Sequence, residues 1–206
     1  MEKKDIIKQY ITYYLENGKA PANMYQFAKL LGVEEKTLYA YFTSFESIEK
    51  EIWKNTFENT ISRLNADERY FNYSAREKML AFFFTWIEEL TDIRSFILMT
   101  KPNFNILELK FLKESKEVFI DYASDIIRLG KETKEIRDRI WITNNFPAFL
   151  WLQVLFILRF WINDSSPNFE KTDAAIEKSV NFSFELMGNN LIDTAIDFGK
   201  FVLTKS

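Results

Sequence analysis

The side chains best placed to do chemistry at a surface crowd into one short stretch. Asn23, Tyr25, Lys36, Thr37, Tyr39 and Tyr41 all lie between residues 23 and 41. None is a nucleophile or a metal ligand of the usual kind. Together they offer an ammonium, hydroxyls and a carboxamide, the groups that touch duplex DNA. Lys36 and Thr37 suit base edges or the thymine methyl group. Tyr39 and Tyr41 suit phosphate, with rings to pack on sugars. Asn23 and Tyr25, at the start of a helix, suit phosphate as well. Glu34 and Glu35 carry the wrong sign for phosphate, although Glu35 can accept from a cytosine amino group.

Other chemistry is excluded by composition. The 206 residues contain no Cys and no His. That removes thiol nucleophiles, disulfides, Ser-His-Asp triads and imidazole or thiolate zinc sites. There is no glycine loop to cradle phosphate. Glu88 and Glu89 are adjacent, so they diverge around a helix and cannot share a substrate. A carboxylate-bridged di-metal bundle needs Glu-x-x-His pairs. The expectation is a non-enzyme with no catalytic residues, no metal and no cofactor.

The elements that must position the six residues are two short helices and a turn. Asn23 is a good N-cap, with Gln26 three places on. Met24, Phe27, Ala28 and Leu31 recur at helical spacing on one face. Gly32 supplies a left-handed position that ends this helix. The next helix buries Val33, Leu38 and Phe42, leaving Lys36, Thr37, Tyr39, Ala40 and Tyr41 wholly or partly outward. This is the layout of a helix-turn-helix, whose second helix enters the major groove.

The run Phe27-Ala28, Gly32-Val33, Thr37-Leu38-Tyr39, Tyr41-Phe42, followed by a turn at 43–46, resembles the DNA-binding head of the tetracycline-repressor-like (TetR) family of bacterial transcription regulators. Gly130 followed by Glu135-Ile136 resembles a later landmark of that family. In two places the chain departs from the pattern: Lys36 stands where a small Gly is common, and Phe45 where a basic residue often touches phosphate. The resemblance implies an all-α protein. Residues 1–46 would form a three-helix head, and residues 47–206 a larger helical ligand-binding and dimerisation domain. It implies a homodimer on a double-stranded DNA operator, released by a small molecule.

The rest of the chain is compatible. Hydrophobic residues make up 47% of it and aromatics 17%, with 21 Phe and only five Gly and four Pro, so a bulky helical core is expected. Periodicity predicts a helix over 3–17 stopped by Gly18, with Ile6, Ile7, Tyr10, Ile11, Tyr14 and Leu15 inward. A long helix follows from about 45 to 64, and 65–73 reads as a polar loop. Ser74 and Glu77 form a capping box for the next helix. Short or long helices are expected over 92–99, 104–112, 117–129, 137–162 with a kink or restart at Pro147, and 172–187, and a terminal one over 191–203. In the TetR family the last two long helices pair with their copies, and Ala174, Ala175, Ser179 and Ser183 are small enough for close approach.

The family also implies a ligand pocket. Phe83, Trp86, Phe104, Phe119, Tyr122 and Phe149 are the candidate lining, with Asn145 and Gln153 as polar anchors, and an apolar or amphipathic effector suits them. For each aromatic the competing reading is core packing.

Charge gives little encouragement to DNA binding. Net charge is −3, and residues 1–54 hold eight Lys against eight Asp or Glu, with no Arg. The alternative is therefore a helical small-molecule-binding or protein-interaction module that has lost DNA binding. No segment is long and apolar enough to span a bilayer comfortably, and MEKKDII lacks the apolar run of a signal peptide, so a cytoplasmic protein with no membrane partner is expected.

Overall fold

The computed structural model describes residues 1–100, 109–138 and 145–188. Among them every regular element is helical: α1 (Lys3–Asn17), α2 (Met24–Leu30), α3 (Glu35–Tyr39), α4 (Phe45–Asn65), α5 (Ala75–Asp92), α6 (Arg94–Thr100), α7 (Lys113–Glu132), α8 (Phe146–Ile162) and α9 (Glu170–Gly188). The all-α class is as expected. The expected helix over 104–112 and the terminal helix lie largely or wholly outside the described residues; Leu109–Leu112 forms a 3-10 turn.

The chain packs as two compact units. The first is Met1–Asn59 with Glu88–Val118, and the second is Thr60–Ile87 with Phe119–Ser206. Helices α4, α5 and α7 contribute residues to both.

In the first unit, local signals stop and start the helices. Gly18 takes φ +70° and donates its N–H to the Tyr14 carbonyl, ending α1. The Asn23 side chain accepts the Gln26 N–H at 2.9 Å and caps α2. Gly32, at φ +68°, turns the chain between α2 and α3. Ser44 and Ser47 cap α4 reciprocally, each backbone N–H donating to the other's hydroxyl. The core joins Ile6, Tyr10, Phe27, Leu38, Phe42, Ile48 and Ile52. Phe96 of α6 belongs to it too, 6.1 Å from the Tyr10 ring and 5.4 Å from that of Tyr14. Phe45 stacks on Tyr10 at 5.4 Å, so this departure from the family pattern serves packing. Leu15, expected inward, is exposed: it sits on the last turn of α1, past the reach of the core.

In the second unit two expectations need correction. The stretch 65–73 is not a plain loop: Glu68–Asn72 is a 3-10 turn, and its Tyr70 is buried. The polar neighbours hid one ring that packs inward. Nor does the helix expected over 117–129 stop short of Gly130. This residue lies within α7, where an added Cβ would stand 2.7 Å from Ile136 Cδ1 and 3.2 Å from Ala75 Cβ. The glycine gives room for close packing, and Lys134 takes the left-handed position beyond it (φ +65°). Ser74 and Glu77 do form the capping box of α5. The Glu135 carboxylate accepts the next two amides, of Ala75 and Arg76. Pro147 falls in the first turn of α8, where its missing N–H costs nothing.

Candidate functional site

Two groups of side chains are candidates, one in each unit. In the first unit, Leu38 is fully buried and holds α3 to the core, while Tyr39 on the same helix is 50% exposed. Tyr25 at the start of α2 and Tyr41 after α3 are exposed as well, and Thr37 is half-buried. Lys36 is open to solvent and forms an ion pair with Glu34 at 2.7 Å. The Tyr39 hydroxyl donates to Glu35 Oε1 at 2.9 Å, one turn back, and that bond raises the hydroxyl pKa. Tyr41 donates to the Met1 carbonyl at 3.3 Å. Asn23 is occupied as the cap of α2, which leaves its carboxamide N–H₂ as the outward donor.

Five of the eight lysines in residues 1–54 are engaged. Lys3 pairs with Glu51, Lys4 with Glu2, Lys36 with Glu34, Lys50 with Glu46 and Lys54 with Glu58. Lys8, Lys19 and Lys29 form no ion pair among the described residues.

In the second unit, aromatic rings converge where α5, α7 and α8 meet. Phe82 stacks on Tyr122 at 4.8 Å and contacts Phe119 at 5.3 Å. Phe119 in turn reaches Phe83 at 6.4 Å and Trp151 at 5.9 Å. Phe83, Trp86 and Phe119 are fully buried. Tyr122 donates to the Lys78 carbonyl at 3.0 Å and shares a 2.7 Å hydrogen bond with Tyr70, while burial pushes its hydroxyl pKa well up. Lys78 is itself nine-tenths buried, its ammonium over the Tyr70 ring and bonded to the Tyr70 carbonyl; burial lowers its pKa.

Of the residues expected at a ligand pocket, Phe83, Phe119 and Tyr122 come together, and Trp86 joins them through Phe82, 6.4 Å away. Phe149 is half-buried and Asn145 is exposed at the start of α8. Phe104 lies outside the described residues. Gln153 is buried between α8 and α9, donating to Ser179 at 2.9 Å and accepting from Ser183 at 3.2 Å. Sequence reasoning missed Lys78 and Tyr70. A lysine among apolar residues early in α5 was the available signal; nothing local marked Tyr70.

The second unit also carries an uncovered apolar face on α8 and α9. Leu152 is 61%, Phe156 49% and Phe182 61% exposed, and the half-buried Phe160 and Ala175 border a groove between them.

The chain thus combines a capped helix-turn-helix with further helices in an all-α fold, the class of helix-turn-helix proteins. A crystal structure of a transcriptional regulator from Cytophaga hutchinsonii has the same fold, with TM-score 0.60 and 18% identity over 90% of this chain and 98% of that one. So does a protein of unknown function from Rhodococcus sp. RHA1, at TM-score 0.58 and 12% identity over 91% and 95%. A comparison with curated proteins gave no match. The sequence model of the tetracyclin repressor-like C-terminal domain matches residues 78–202. The chain belongs to that family and is a TetR-family transcriptional regulator. Among the described residues, no helix is long and apolar enough to cross a membrane.

Proposed function

We propose that this regulator is a homodimeric repressor that binds a pseudo-palindromic operator through residues 1–46 and is released by an apolar or amphipathic small molecule held in residues 47–206. The observation that carries the reading is the exposed face of α2 and α3. Tyr25, Lys36, Tyr39 and Tyr41 stand outward and Thr37 is half-buried, while Leu38 and Phe42 belong to the core. The apolar face of α8 and α9 is the surface on which a second copy would close, and a two-fold pair presents two heads at a fixed spacing. Phe83, Trp86, Phe119 and Tyr122 are the proposed lining of the effector site. An effector that prefers the state with mismatched head spacing lowers operator affinity by its differential affinity for the two states. Gln153 is assigned to pairing α8 with α9, since both ends of its amide are used there.

The internal pairing of Lys3, Lys4, Lys36, Lys50 and Lys54 favours a second reading, a carrier or protein-interaction module on the same fold. Salt separates the two. If the paired lysines stay paired, three lysines per head are free, and log K against log salt for a dimer falls with a slope no steeper than about −5. Affinity for a selected duplex that falls along such a slope supports the regulator. Failure to retain any duplex from a random pool at low salt supports the module.

A further inference from the structure

The N-cap and first turn of α3 carry three charged side chains, Glu34, Glu35 and Lys36, and they are not equivalent. Lys36 and Glu34 close on each other at 2.7 Å. Glu35 has no cation within ion-pair distance among the described residues. Its carboxylate accepts the Tyr39 hydroxyl at 2.9 Å instead. Spacing of four residues puts both on one side of the helix. The bond uses up the tyrosine's donor and fixes the direction of the carboxylate.

An ionised carboxylate only accepts hydrogen bonds. Base edges in the major groove offer two donors to it, the amino groups of cytosine and adenine. Adenine sets its N7 acceptor beside the amino group, where it opposes a carboxylate oxygen; cytosine carries no second acceptor on that edge. Guanine and thymine present acceptors that a carboxylate repels. We propose that Glu35, aimed by Tyr39, reads the amino group of one cytosine in each operator half-site. Glu35 is then the specificity-determining residue of the head and Tyr39 its positioning residue. The inference rests on the DNA-binding reading of the head and adds to it what the duplex contains.

A selection from random duplexes tests it with full-length wild type, Glu35→Gln and Tyr39→Phe, each checked for helical content and melting temperature. Wild type is expected to enrich a two-fold motif with a cytosine in each half, and to bind at least tenfold more weakly when that cytosine is replaced. Glu35→Gln is expected to shift the same position to adenine, since a carboxamide can both accept from N6 and donate to N7. Tyr39→Phe should keep the preference for cytosine but reduce the discrimination several-fold without a change in melting temperature. An unchanged motif in Glu35→Gln, or an Glu35-dependent position that is not cytosine, overturns the proposal and leaves DNA binding standing. No enrichment by folded wild type overturns both.

Discussion

The exposed aromatic side chains of the two units differ in kind. Among the described residues, those of the first unit are tyrosines, Tyr25, Tyr39 and Tyr41, and those of the second are phenylalanines, Phe71, Phe156 and Phe182. A ring with a hydroxyl can lie against a partner and still satisfy a polar group, as Tyr39 does with Glu35 and Tyr41 with the Met1 carbonyl. A bare ring gains only by being covered by apolar surface. Two single caps differ as well. Asn23 caps α2 with a neutral carboxamide, whereas the Asp164 carboxylate accepts from the N–H and hydroxyl of both Ser166 and Thr172 at the start of α9. The Asn23 cap is neutral, whereas the group ahead of α9 is a carboxylate held by four hydrogen bonds.

The largest effect expected from breaking this arrangement is in the core of the first unit. Phe96 is 1% exposed, and Phe96→Ala should cost about 3–5 kcal/mol in urea denaturation. A smaller loss would mean that α6 is not integral to the head's core. Next comes the bare-ring face. Phe156→Glu with Phe182→Glu should weaken self-association at least a hundredfold by sedimentation while leaving the fold intact, because neither ring is buried. An unchanged mass would remove the contrast between the two surfaces.

The caps give the finer test. Burial would raise the pKa of Asp164, but hydrogen bonds from Thr172 and Ser166 outweigh it and pull it down to about 2. A depressed folded pKa adds stability that is complete above the ordinary carboxylate value and is lost as pH falls through about 2. Asp164→Asn should therefore cost about 2 kcal/mol at pH 7 and progressively less between pH 4 and pH 2, followed by denaturant titration at each pH. Asn23→Ala, the neutral counterpart, should cost about 1 kcal/mol with no such pH dependence in the same experiment.

Punctuation of the helices was readable residue by residue. Gly18, Asn23, Gly32 and the Ser74–Glu77 box each act over a few positions, so propensity and capping rules were enough to place them. The outward face of α3 followed from the spacing of Leu38 and Phe42 around it, and the all-α class from periodicity together with few Gly and Pro. Partner choice was another matter. Glu135 binding the amides of Ala75 and Arg76, Phe96 joining the core of α1 and α2, Gln153 held by two serines of α9, and Gly130 yielding space to Ala75 are contacts between residues far apart in the chain. No local window contains both members of such a pair. Short-range backbone and capping preferences therefore sit in the sequence, whereas the tertiary structure alone decides which buried groups meet, because burial and hydrogen-bond satisfaction depend on neighbours that only folding brings together.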